Sequence, residues 1–297
     1  MPSTASVQIL LLPERRRFAN STISPEAAAI LGRANRLANA APGEQAQLAR
    51  YFTLQSVQPW PMAAIQRQYD VGDALGATWL RADPAYVRAD MTGARLLAWG
   101  NLALEDGESA AFIGELAPSF QDIGCQLTAT APDRWYVSFP AGTALPTFSS
   151  PEQALGADLF EHLPQGEEGR RWRALLSETQ VILHNHPGNV ERAALGKAPV
   201  NSLWFWGGGA LPDAITMNVS AVESSDPELQ ALAALAQASA TGPALLDLRH
   251  ERDWSVVETQ LRRDSSTLLD FADGARWMLQ PRQRWRFWRR PLLRLQE

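Results

Sequence analysis

Sulfur and lysine are nearly missing from this chain. Cys125 is the only cysteine, so no disulfide forms within the chain and no cysteine-ligated zinc site exists. Lys197 is the only lysine, and all other basic side chains apart from histidine are arginine. Four histidines are present, His162, His184, His186 and His250, and no aspartate stands directly before or after any of them. No run of about 18 apolar residues is available to span a bilayer. The apolar stretch Val7–Leu12 has its arginines after it, the reverse of a secretory signal. A cytoplasmic protein with no membrane partner is expected. A phosphate-binding Gly-x-x-x-x-Gly-Lys-Ser/Thr loop, a Gly-x-Gly-x-x-Gly fingerprint and a Gly-x-Ser-x-Gly elbow are all missing. The net charge of −5 argues against general nucleic-acid binding.

What is present is an ordinary globular composition, 45% apolar and 20% charged, with 11 tryptophans suited to core or pocket wall. Val7–Leu12 reads as a buried strand. A helix follows from Ser24 as cap and Pro25 at its first position, with Ile30, Leu31, Ala34 and Leu37 at helical spacing. Another helix is expected over 44–55. Residues 78–99 read as strand, turn, strand; 107–120 as a helix; Arg134–Phe139 as a strand. This compact α+β unit, 78–148, is expected as an insertion into an α/β core formed by 1–77 and 149–297.

Residues 170–187 form the strongest helical stripe, through Trp172, Leu175, Leu176, Thr179, Ile182 and Leu183, stopped at Pro187-Gly188. Beyond Asn201, strands and helices alternate, which favours a mixed α/β sheet flanked by helices. Residues 253–272 are expected to be mostly helix. The segments 275–281 and 282–288 are expected to close the chain as a hairpin.

The densest chemistry lies between His184 and Gly209. On a helix, His184 and His186 diverge by about 200°; on extended chain they share a side and suit a metal. A strand running into Gly207-Gly208-Gly209 gives backbone N–H groups open access to an anion, with Arg192 and Lys197 nearby to supply charge. The other reading is a tight strand exit packed on Trp204 or Trp206. Asn189 and Asn201 suit hydrogen-bonded loop bases. A small anionic ligand is one expected partner. Another is a protein partner on the terminal arginines: on a strand, Arg282, Arg284 and Arg286 share one face, while Trp285 and Phe287 take the buried one.

The pattern from His186 to Gly209, "HPGNVER" then "GKAPVNSLWFWGGG", together with "WLRADPAYVRAD", "DRWYVSF", "HLPQGEEGRRWRALLSE" and "WRFWRRP", resembles the bacterial RpfE-type regulatory proteins, which are described as phosphoglycerate-mutase-like. The glycine-ended stretch is also similar to part of the archaeal-type cofactor-independent phosphoglycerate mutases, of the alkaline phosphatase superfamily. The resemblance implies an α/β sheet flanked by helices. For a catalytic member it implies two divalent ions, manganese or zinc, held about 4 Å apart by aspartates and histidines beside a Ser or Thr nucleophile. Here the first strand ends in Pro13 and Glu14 followed by three arginines, with no aspartate. The remaining candidates are Asp247, His250 and Asp253, followed by Asp270 and Asp273. Too few donors remain for a two-ion centre, so the expectation is a non-catalytic regulatory or ligand-sensing protein without a cofactor. A metal-dependent mutase or phosphatase is the alternative.

Overall fold

The computed structural model describes residues 7–55, 59–90, 93–100, 102–261 and 265–295. In chain order the strands are β1 (Val7–Leu12), β2 (Asn35–Arg36), β3 (Phe52–Leu54), β4 (Ala77–Asp90), β5 (Gly93–Trp99), β6 (Gln126–Ala131), β7 (Arg134–Pro140), β8 (Ser202–Ala210), β9 (Ile215–Met217), β10 (Ala221–Glu223), β11 (Ala244–Asp247), β12 (Ser266–Phe271) and β13 (Arg276–Leu279). They fall into two compact units, Met1–Gln55 with Ala214–Glu297, and Ser56–Asp213.

The first unit carries a mixed sheet in the order β10-β11-β1-β12-β13-β2. β10, β11, β1 and β12 run parallel, and β13 and β2 are antiparallel to their neighbours. β1 is buried through Ile9–Leu12 and β12 through Thr267–Phe271, as strands covered on both sides are, with Thr267 and Asp270 the polar members. Leu10, Leu12, Leu269 and Phe271 share a core with Leu31 of the helix Pro25–Arg33 and with Trp254 and Val257 of the helix Trp254–Thr259. Ser24 caps the first of these helices by accepting from Ala27 N–H, and Asp226 caps Pro227–Leu235 through Glu228 N–H.

The second unit is built on the 14-residue β4, which pairs antiparallel with β5, β7 and β8, while β7 pairs with β6. Alternation sends Leu80, Trp135 and Val137 to one face, against Phe112, Leu116 and Phe120 of Asp106–Asp122 and Trp172, Leu175 and Leu176 of Gly166–Asn185. Trp79 and Tyr136 go to the other face, against Ala63 and Ala64 of Met62–Asp70. Burying each such large side chain is worth roughly 2 kcal/mol.

Several expectations shift. The helix expected over 44–55 stops at Leu48 and gives way to β3. The helix expected over 253–272 covers only Trp254–Thr259; residues 262–264 lie outside the described ones, and Ser266–Phe271 is a strand because the space between β1 and β13 takes two apolar faces. The hairpin partner of β13 is β12, and Pro281–Trp285 is a short 3-10 helix. The unit division also lies elsewhere than at 78 and 148, because β8 completes the sheet of β4 and carries 149–213 with it. Among the described residues, no helix is long and apolar enough to cross a membrane.

Candidate functional site

The stretch from His184 to Gly209 is built into the second unit. His184 is exposed on the last turn of Gly166–Asn185, whereas His186 sits between two helices with its Nδ1 accepting from Gly188 N–H and its ring 4.4 Å from that of Phe112. The two imidazoles do not converge. Asn189 donates to the carbonyls of Leu183 and Val200 and accepts from Val200 N–H. Asn201 pairs both ways with the backbone of Val87.

Arg192 is the clearest correction. It is 0% exposed. Its guanidinium donates to the carbonyls of Leu102 and Ala198 and to Glu108 Oε1 at 2.8 Å. Lys197 Nζ lies 2.8 Å from Glu105 and 3.4 Å from Glu108. Both cations have carboxylate partners, Arg192 fully buried and Lys197 partly exposed. Burial works against the Glu108 charge, and the Glu105 N–H, Arg192 and Lys197 more than offset it, holding the carboxyl below its usual range.

The glycine run is a bulge. Trp79 pairs with Gly209 and Arg81 with Trp206, so two steps on β4 face three on β8. The extra residue is absorbed where Gly207 adopts φ +66°. A Cβ on Gly207 would meet Met62 and Ala63 at 3.2 Å, and one on Gly209 would meet Pro61 at 2.8 Å. On the Cβ side the three glycines are packed against Met62, Ala63, Leu80, Leu145 and Pro61. Trp204 donates to Ser149 O, and Trp206 donates at 2.7 Å to Asp83, which also accepts from Arg81.

A denser constellation of charge lies in the first unit, at the carboxyl ends of its parallel strands. Ligands of open α/β sheets gather at such ends. Asp247 of β11 and Asp270 of β12 both stand in register with Leu11 of β1, and so point to the same face of the sheet. Each meets a guanidinium. Arg249 donates to Asp247 Oδ1 at 2.8 Å and to Asp226 Oδ2 at 2.5 Å, with Glu44 at 3.6 Å. Burial opposes the charge of Arg249, and Asp247, Asp226 and Glu44 overcome it, so the guanidinium is held firmly protonated. Ser224 donates to Asp247 Oδ2 at 2.7 Å. His250 Nε2 lies 3.8 Å from Asp226, whose carboxylate raises the imidazole pKa. Asp270 is ion-paired with Arg50 and accepts from Tyr51 Oη at 2.5 Å, while burial pushes its carboxyl upward.

The five metal candidates therefore do not converge. Asp253 caps Trp254–Thr259 through Ser255 N–H, and Asp273 pairs with Arg15. Among the described residues, no group of three or more histidine, cysteine, aspartate or glutamate side chains is arranged to hold a metal ion. Asp226, Asp247 and Asp270 are each ion-paired with an arginine.

No family model matches the chain. A segment of 66 residues, 22% of the chain, is 41% identical to the probable 2,3-bisphosphoglycerate-independent phosphoglycerate mutase of Geobacter sulfurreducens, covering 16% of that protein. The corresponding mutase of Methanosarcina barkeri is 39% identical over 62 residues, 21% of this chain and 16% of its own length. This chain is distantly similar to cofactor-independent phosphoglycerate mutases. Its match spans about a sixth of those relatives' length. Among solved structures, the cofactor-independent phosphoglycerate mutase of Thermoplasma acidophilum aligns over 93% of this chain and 89% of its own, with 17% identity and a TM-score of 0.39. The PH0037 protein of Pyrococcus horikoshii aligns over 93% and 87%, with 9% identity and a TM-score of 0.42.

Within this mutase-like chain, sequence reasoning found Asp247 and His250 but missed Glu44, Ser224, Asp226 and Arg249. The signal for Arg249 was its place between Asp247 and His250 just after a strand. The partners Glu44 and Asp226 enter only through the pairing of β10, β11 and β1, which no local spacing encodes.

Proposed function

We propose that this chain is a non-catalytic regulatory or ligand-sensing protein of phosphoglycerate-mutase-like ancestry. One observation carries the reading: the buried carboxylates at the strand ends are neutralised by Arg249 and Arg50, where a phosphoryl-transfer centre needs divalent cations. The ligand is a small phosphorylated or carboxylate anion. Support for its place comes from the open concavity beyond the carboxyl ends of β1 and β11, lined by the cations Arg17 and Arg252, by Asn20, Ser21, Thr22 and Ser255, and by Asp253, whose carboxylate accepts from Ser255 N–H. Burial and the nearby Arg17 both depress the Arg252 pKa, so an anion between the two guanidiniums relieves their repulsion.

Metal analysis and a 3-phosphoglycerate turnover assay with added Mn or Zn test the reading. Less than one tightly held ion per chain and no turnover are expected. Two tightly held ions, or turnover, return the chain to the metal-dependent mutases or phosphatases. Calorimetry with 3-phosphoglycerate separates binding from conversion: binding weakened at least tenfold in Arg252→Gln supports the concavity, and unchanged binding removes it.

A further inference from the structure

Residues 281–295 contain six arginines and no aspartate or glutamate, on a chain whose net charge is −5. The structure reverses the faces expected here. Trp285 is 65% exposed, Phe287 78%, Trp288 69% and Leu293 68%. Single exposed apolar residues are ordinary, but three large aromatics within four residues form a patch that asks for an occupant.

This stretch is held firmly in place. Arg286 donates to Arg33 O and Asn35 Oδ1, Arg289 donates to Ala34 O, and Leu292 N–H bonds Ala28 O. Leu292 and Leu295 are buried in the core of the first unit. The Arg290 carbonyl lies directly on Gly32, where a Cβ has no room. Two arginines and two leucines thus fasten the backbone while the aromatics face outward. Arg282, Arg284, Arg290 and Arg294 are exposed, and among the described residues none of them is ion-paired with a carboxylate.

We infer that this face docks on an anionic lipid bilayer. The charge is complementary: four guanidiniums that no described carboxylate pairs meet lipid phosphates and acidic headgroups. Trp285 and Trp288 suit the headgroup level, and Phe287 and Leu293 the acyl boundary beneath it. Ring geometry disfavours single-stranded nucleic acid, whose bases stack on open aromatic faces. The Arg284 guanidinium lies over the Trp285 ring at 5.1 Å. Phe287 and Trp288 meet edge to face, 5.4 Å apart at 79°. Leu293 offers no stacking surface at all.

Flotation of the purified full chain with phosphatidylcholine vesicles, with and without phosphatidylserine, tests this. The chain is expected to float with phosphatidylserine-containing vesicles alone and to be released by high salt. Each of Arg284→Gln, Arg290→Gln and Arg294→Gln weakens capture about fivefold. Joint replacement of Trp285, Phe287 and Trp288 by serine abolishes capture, with thermal melting to confirm that the exposed substitutions leave the fold intact. No flotation with anionic vesicles overturns the inference, as does capture unchanged in the serine variant. Without flotation, binding of an oligonucleotide that the serine variant loses reassigns the face to nucleic acid. Without flotation, a concentration-dependent dimer that the same variant dissolves reassigns it to a second copy of the chain.

Discussion

Arg249 is 3% exposed on its side chain and answers two buried acids. Replacing it with methionine leaves Asp226 and Asp247 without their nearest counter-charge, at a cost of about 3–5 kcal/mol. Urea unfolding at neutral pH checks this, and a loss under about 1 kcal/mol contradicts it. The pH response also weakens. In the parent chain burial works against the Asp226 charge, but the His250 hydrogen bond, Arg249 and the Glu228 N–H together hold its pKa below the unfolded value. Its contribution to stability is present above the unfolded pKa and is lost as pH falls through the folded one. Without Arg249 one of the groups that hold the Asp226 pKa down is lost, so the variant is expected to lose less stability on acidification than the parent chain. At this scale the sequence is legible where a residue acts on its neighbours: Ser24 and Asp226 cap as their positions imply. It is silent where the partner is remote, as with Arg192 and Glu108, 84 positions apart.

The glycine run shows how one signal supports two elements. Three glycines after a strand suit an anion cradle, and they equally suit a bulge that lets β8 lie against Pro61, Met62 and Ala63. Only the register with β4 separates the two. Gly207→Ala introduces a side chain at φ +66° in contact with Met62 and Ala63 at 3.2 Å, and is expected to cost about 1–3 kcal/mol. Gly196→Ala, at φ +70° but in open space, carries the backbone strain alone and costs about 1 kcal/mol. Thermal melts of the two variants make the comparison. Equal losses remove the packing contribution assigned to Gly207. The terminal arginines are misread for a related reason. Alternation of Arg282, Arg284 and Arg286 is read as a strand, but Pro281 opens a 3-10 turn sealed by Gln280 and Gln283. Loss of the two-residue period turns Trp285 outward.

At the scale of the molecule, the mixed α/β class is legible from the alternation of strands and helices after Asn201, while the unit boundary is not. A boundary at 78 and 148 follows from local composition, but the decisive contacts are long-range: β8 joins β4, and β3 joins β9 with Leu54 opposite Ile215. That second pairing brings the two chain crossings of the first unit side by side, with Gln55 N–H bonded to Ala214 O. Ends paired this closely within the first unit permit excision of 56–213. The segment 56–213 holds, among the described residues, β4 to β8 and the core clusters packed on them, and is expected to unfold cooperatively in urea when made alone. Joining residue 55 to residue 214 through Asn-Gly supplies a two-residue hairpin turn between β3 and β9, and the shortened first unit is expected to keep the circular-dichroism signature of a mixed α/β sheet. A disordered 56–213 fragment shows that its sheet depends on the rest of the chain. A disordered joined unit alongside a folded fragment places that dependence on the first unit, whose parallel strands are assembled from residues more than 200 positions apart.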